Sequence, residues 1–194
     1  MYLREESAMD IFFLRHAESL SNCNGSYSSD PGEPLTQKGY MDAERIIPDL
    51  LDLNLDIIMC SPCLRARDTI APIKRELDIS VNILPALAEG QNIGVDQLIS
   101  PEPADFVFDA NGELFPPEDE SAGAFLSRVR QSVSTINEIQ AKRILVVSHG
   151  HMLREILNEY LQTDVKICFP HDNCGLTHIS IGSGVTCHYI NRIL

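Results

Sequence analysis

The sequence predicts an α/β fold, a three-layer α/β/α sandwich around a mostly parallel central sheet. Three observations predict it. Apolar runs of strand length alternate with stretches of helical periodicity along the chain. The strongest run, Ile144-Leu145-Val146-Val147-Ser148, is continuously apolar and largely β-branched until its last residue, as in strands buried on both faces of a parallel sheet. Two such runs stop abruptly at histidine, one at Arg15-His16 and one at His149. That puts costly polar side chains at the carboxyl ends of strands, where ligands bind in open α/β sheets.

Residues 10–14 read as the first strand. Residues 17–34 are crowded with Ser, Asn, Gly, Asp and Pro and read as a long loop. A loop of that length in a folded domain is usually functional. Thr36 has the character of an N-cap for a helix running to about Leu53, with Ala43, Ile46, Ile47, Leu50 and Leu51 on one face. Pro48 should kink or split it. Residues 55–60 form the second strand. Ser61 as N-cap and Pro62 at the first helical position signal a helix striped by Ala66, Ile70, Ile73 and Leu77, with a second internal proline at Pro72. A short third strand is expected at 81–84. The stretch 90–118, with Pro101, Pro103, Pro116, Pro117 and several acidic residues, reads as an irregular insertion over one edge of the site. A helix over about 120–141 follows, with Ala122, Phe125, Val129, Val133, Ile136 and Ile139 at helical spacing. After strand 144–148 comes a helix to about Leu161. Two last strands, near 176–181 and 185–191, are joined by Gly182-Ser183-Gly184, a hairpin-like connection. Residues 1–8 read as an N-terminal extension, and 9–194 as a single domain.

The bulk properties exclude several classes. With 15 Lys and Arg against 28 Asp and Glu, the formal net charge is -13. A sequence-independent grip on nucleic acid needs clustered basic residues, and docking on anionic lipid needs the same. An anionic substrate must therefore be held by local positive charge. No apolar run approaches the ~18 residues of a membrane span, and the N-terminus has no signal-peptide core, so a cytoplasmic location is expected. The six cysteines then read as reduced thiols. Cys60-Ser61-Pro62-Cys63 fits C-x-x-C, but a zinc site would want a second ligand pair at matching spacing, and none occurs.

Arg15, His16, Arg65 and His149 follow three strands and can converge at one sheet edge. Two guanidiniums and two imidazoles on an acidic protein form a local anion site, since arginine forks match phosphate oxygens in paired hydrogen bonds. The long polar loop can add backbone N–H groups and the Asn22 amide.

Leu14-Arg15-His16-Ala17-Glu18-Ser19, followed by Asn22, resembles the opening motif of the histidine phosphatase superfamily, the phosphoglycerate mutase-like proteins. Leu35-Thr36-x-x-Gly39 with Ala43 is similar to its first-helix start. Ser61-Pro62-x-Leu64-Arg65-Ala66-x-x-Thr69 resembles its second arginine motif. Glu120-Ser121 with Phe125 and Arg128 resembles the entry to its long helix, and Val147-Ser148-His149-Gly150 with Leu153-Arg154 its second histidine motif. Asn173 with Thr177 resembles the run into a late strand. The set occurs in family order over about 10–181.

The resemblance implies a phosphoglycerate mutase-like fold and a phosphatase that hydrolyses a phosphomonoester without metal or organic cofactor. His16 would be the phosphoryl-accepting nucleophile. Arg15, Arg65 and His149 would bind the phosphoryl oxygens, with Asn22 assisting. Glu89, in Leu87-Ala88-Glu89, would be the general acid. A neutral imidazole is nucleophilic at one nitrogen while the other is fixed by a hydrogen bond, and a protonated carboxyl helps a poor alkoxide leave. This chain has Ala17 where many relatives have glycine, and no Trp near the acid. Glu33, Glu102 and Glu113 are the other carboxylates open to the acid role. The expected partner is a small phosphorylated substrate or a phosphoprotein. The alternatives are a cofactor-dependent phosphoglycerate mutase, a catalytically silent phosphate-binding or interaction module, and a zinc site built from His149, His151 and His171.

Overall fold

The computed structural model describes residues 8–28, 30–90, 99–100, 102–162 and 167–194. In chain order the elements are β1 (Met9–Arg15), α1 (Leu20–Cys23), α2 (Gln37–Arg45), α3 (Ile47–Leu51), β2 (Ile57–Cys60), α4 (Leu64–Glu76) and β3 (Ser80–Ile83). A 3-10 turn (Pro85–Leu87) follows. Then come β4 (Val107–Phe108), β5 (Leu114–Phe115), α5 (Ala122–Asn137), β6 (Arg143–Ser148), α6 (Gly150–Leu161), β7 (Gly175–Ile181) and β8 (Val185–Ile193). The extension expected at 1–8 lies outside the described residues except for Ala8. Residues 91–98 and Pro101 of the 90–118 stretch also lie outside them.

The six-stranded sheet has the order β3-β2-β6-β1-β7-β8. β3, β2, β6 and β1 run parallel, while β7 and β8 are antiparallel. Alternation along β1 feeds two cores. Ile11 and Phe13 pack with Phe125, Val129 and Ile136 of α5 and with Met152, Leu153 and Ile156 of α6. Phe12 and Leu14 pack with Ala43, Ile46, Leu50, Ala66, Ile70 and Ile73 on the other face. Burying one such Phe or Leu stabilises the fold by about 1.5–3 kcal/mol. Both faces of β1 and β6 are therefore covered, which is why residues 144–147 read as an unbroken apolar run and are fully buried. This is the three-layer α/β/α architecture with a mostly parallel sheet.

Local chemistry sets the breaks. Thr36 Oγ1 accepts from Gly39 N at 3.0 Å and caps α2. A Cβ on Gly39 would lie 2.1 Å from Glu18 O, so only glycine lets the helix start close against the loop after β1. Pro48 splits the helical stretch into α2 and α3. Pro72 stays inside an unbroken α4, and its buried ring offsets the missing hydrogen bond through packing. The helix-start expectation at Ser61-Pro62 needs correction: α4 begins at Leu64, with Cys63 as its N-cap residue. The 17–34 loop contains the short α1. Within 90–118 the described part is a two-stranded β4–β5 hairpin.

Candidate active site

Sheet register assembles the site. Arg15 of β1 pairs with Ser148 of the neighbouring β6. His16 N donates to Ser148 O at 3.0 Å, and Ser61 N donates to Val147 O at 2.9 Å. The residues that follow β1, β6 and β2 therefore leave the sheet at the same edge. A cavity of about 700 Å³ opens there, lined by Arg15, His16, Asn22, Arg65 and Glu89 among others. His149 is fully buried behind this lining, its ring centroid 5.0 Å from that of His16.

Each imidazole is fixed at one nitrogen. His16 Nδ1 lies 2.7 Å from Ala17 O. A carbonyl can only accept, so Nδ1 carries the proton and Nε2 keeps its lone pair. His149 Nε2 lies 2.7 Å from Ser61 Oγ, which also accepts from Cys63 N at 3.2 Å. His149 Nδ1 and Arg15 Nε are buried and make no hydrogen bond among the described residues. Burial first, then the Arg65 and Arg15 guanidiniums, hold the His16 imidazolium well below the usual histidine range. His149 is held down by burial, Arg65, His16 and Arg15. Burial and the neighbouring guanidiniums thus favour the neutral form of both rings.

Asn22 is oriented by its carbonyl oxygen, which accepts from Asn173 Nδ2 at 2.8 Å and from Ser19 N at 3.4 Å. Asn22 lines the pocket. Asn173 also bonds His16 O at 3.0 Å, so one side chain ties the end of β1 to the first turn of the loop. Arg15 Nη1 donates to His171 O at 2.6 Å. Arg65 Nη1 donates to Asp30 O at 3.0 Å and lies 3.5 Å from Glu33 Oε2.

Of the four carboxylates open to the acid role, Glu89 lines the pocket and the others are committed elsewhere. Glu33 faces Arg65 and accepts from Ser21 N. Glu102 accepts from Ser121 Oγ, and Glu113 from Arg67 Nη1 at 2.8 Å. Glu89 Oε1 accepts from Gly90 N at 3.0 Å and Met152 N at 3.2 Å. The segment that carries it is clamped by Arg128. This fully buried guanidinium bonds Glu120 bidentately at 2.7 and 2.6 Å and donates to the carbonyls of Ala86, Ala88 and Glu89. A Cβ on Gly90 would sit 2.1 Å from the Phe125 ring, so glycine lets this segment lie against α5.

Sequence reasoning missed the parts played by four residues. Ser61 is His149's partner, a role hidden because Ser-Pro reads as a helix start. Arg128 and Glu120 were visible as motif residues, but their pairing eight positions apart is not readable without the segment they enclose. His171 was visible only as a third histidine of a metal reading. It lines the pocket, and neither ring nitrogen has a partner among the described residues.

Burial, with the guanidiniums of Arg15 and Arg154, pushes the His171 imidazole down to about 4. Unfolding frees it to bind a proton near its ordinary value of about 6.5, so stability is intact above that pH and falls as pH drops toward 4. The loss reaches about 3 kcal/mol at the lower end, and the depressed His16 and His149 act in the same direction. His171→Asn should shrink the difference in Tm between pH 7 and pH 4.5 by about 5–10 °C. Thermal unfolding at the two pH values checks it, and an unchanged difference would remove His171 as a contributor.

Among the described residues, the one trio of metal-type ligands is Asp10, His178 and His188, on β1, β7 and β8. The two imidazoles stack with 18° between planes, so their in-plane lone pairs do not meet at one ion. Asp10 also faces Arg143 at 3.1 Å. No helix among the described residues is long and apolar enough to cross a membrane.

Comparison with known proteins agrees with this geometry. The adenosylcobalamin/alpha-ribazole phosphatase of Escherichia coli K12 is 28% identical over 153 residues, covering 75% of each chain. A relative from Erwinia tasmaniensis that carries a phosphoglycerate mutase name is 27% identical, over 79% of this chain and 75% of its own. The crystal structure of alpha-ribazole phosphatase from Shigella flexneri superposes with a TM-score of 0.74 at 23% identity, covering 95% of this chain and 96% of that one. The family model for the histidine phosphatase superfamily (branch 1) matches residues 11–191. With the fold, the ordered motifs and that match in agreement, the chain belongs to the histidine phosphatase superfamily.

Proposed function

We propose that the protein hydrolyses phosphomonoesters through a phosphohistidine on His16. The observation that carries this reading is the His16 ring itself. Its Nδ1 proton is tied to Ala17 O, its Nε2 is left with a lone pair, and Arg15 and Arg65 stand beside it. Two guanidiniums spread the charge that builds on the phosphoryl oxygens, and the fixed ring holds the attacking atom in line. The Cys63 N–H already donates to Ser61 Oγ, so the hydroxyl proton is available to His149 Nε2. The His149 proton then resides on Nδ1, an additional donor for a phosphoryl oxygen.

His16 Nε2 attacks phosphorus as the ester P–O bond breaks, and Glu89 gives a proton to the departing alkoxide. The Glu89 carboxylate next takes a proton from water, which attacks phosphorus. The P–N bond breaks, releasing inorganic phosphate and neutral His16. Both backbone hydrogen bonds to Glu89 fall on Oε1, so Oε2 is the oxygen that carries the proton.

Glu89→Gln keeps the shape and removes the proton. It should lower kcat for alkyl phosphates by about 10²-fold or more, and for 4-nitrophenyl phosphate by much less. Steady-state release of inorganic phosphate from both ester types checks it, and equal losses would remove Glu89 as the acid. A mutase would have to retain a doubly phosphorylated intermediate, which the carboxylates Asp109 and Glu118 beside the pocket oppose. A reducing, cytoplasmic setting belongs to the same proposal and is supported by six free thiols.

A further inference from the structure

A second cavity of about 230 Å³ adjoins the phosphate pocket and shares Tyr27, Arg65 and Glu89 with it. The two differ in chemistry. The phosphate pocket continues toward Arg154 and His171 and is polar. The second cavity is walled by Val107, Phe115, Pro116 and Pro117 from the β4–β5 hairpin and the residues after it. Phe115 is packed on Cys63 and Ala88, so the wall is anchored to the start of α4 and to the Glu89 segment. Asp109 and Glu118 lie along the same wall, and among the described lining residues Arg65 is the single cation.

We infer that the leaving alcohol occupies this second cavity, so that the substrates are phosphomonoesters of uncharged alcohols with an apolar body. The inference rests on the phosphatase reading above. The cavity meets the phosphate pocket at Glu89, the group assigned to protonate the ester oxygen. A substrate with its phosphoryl group between Arg15 and Arg65 and its carbon skeleton past Glu89 puts that oxygen beside the acid. Apolar walls favour the burial of a ring or short hydrocarbon. The wall carboxylates repel a second anion. They tolerate hydroxyl groups on the alcohol, which can donate to them.

The test compares ethyl phosphate, 3-phenylpropyl phosphate and 3-phosphoglycerate, with 4-nitrophenyl phosphate as a general assay of hydrolysis. The first two release primary alkanols of similar acidity, so their ratio reports binding of the carbon skeleton and not leaving-group chemistry. We expect kcat/KM for the phenylpropyl ester to exceed that for the ethyl ester by about 10-fold or more. 3-Phosphoglycerate should do no better than ethyl phosphate. Phe115→Ala should bring the phenylpropyl-to-ethyl ratio close to one. Val107→Asp should do the same through a half-exposed position that keeps the fold intact if the Phe115 variant unfolds. A ratio near one in the native protein would overturn the inference, as would a preference for 3-phosphoglycerate or a ratio unchanged by Val107→Asp. In each of those cases hydrolysis of 4-nitrophenyl phosphate leaves the phosphatase reading standing. Hydrolysis of none of the four esters would overturn both.

Discussion

His16→Ala is expected to lower kcat for 4-nitrophenyl phosphate by about 10⁴-fold or more, because the variant has no group to accept the phosphoryl. The neighbours do not substitute. His149 is fully buried behind the pocket lining, with Nε2 engaged by Ser61. His151 Nδ1 faces Gly90 O at 3.2 Å. Rapid quench in alkali, where phosphohistidine survives, should trap labelled enzyme from the native protein and none from the variant. Retained turnover or retained label would sink the mechanism. The fold should persist, since the cores on either side of the sheet do not depend on this ring.

Arg128→Met should be the most damaging change outside the catalytic groups. The native guanidinium satisfies the Glu120 carboxylate and three backbone carbonyls in a fully buried position. Methionine fills much of the volume but breaks this ion pair and removes the guanidinium donor from the three carbonyls, leaving Ala86 O with Ser132 Oγ at 3.1 Å. Removing one partner of such a pair typically destabilises by about 3–5 kcal/mol, which for a chain of this size lowers Tm by about 10 °C. The carbonyls belong to the segment that presents Glu89. The surviving enzyme should therefore lose more kcat on alkyl esters, which need the acid, than on 4-nitrophenyl phosphate. Thermal unfolding and the two substrates measured together check both halves. A Tm within about 2 °C of native would show that the clamp contributes little to stability.

The architecture was legible because strand and helix periods are local. The runs ending at Arg15 and Ser148 announced both the sheet and its functional edge. The convergence of Arg15, His16 and Arg65 on one cavity was legible for a similar reason, since Arg15 and His16 close β1 and Arg65 stands in the first turn of the helix after β2. What stayed hidden depends on contacts between distant segments. Ser61 looks like a helix cap because serine before proline usually is one, and only the adjacency of β2 and β6 turns its hydroxyl toward His149. The resemblance, not spacing, put Glu89 ahead of Glu33, Glu102 and Glu113. The structure adds that Glu89 lines the pocket, while Glu102 and Glu113 accept from Ser121 and Arg67 and Glu33 lies against Arg65. The second cavity was illegible because its wall comes from a short hairpin with no strong periodicity.

The pairing of Arg15 with Ser148 joins strands whose partners lie 133 residues apart in the chain. Such contacts form only after a long loop has closed, so they come late in folding relative to the helices. A slip of one residue between β1 and β6 would move His16 by about 3.3 Å and turn alternate side chains to the opposite face. Phosphatase turnover is thus a sensor of completed folding. In a refolding experiment, activity should return with the slowest structural phase. Single-residue insertions within β1 or β6 should abolish it, whereas the same insertions at the exposed Gly184 turn between β7 and β8 should be borne with little loss.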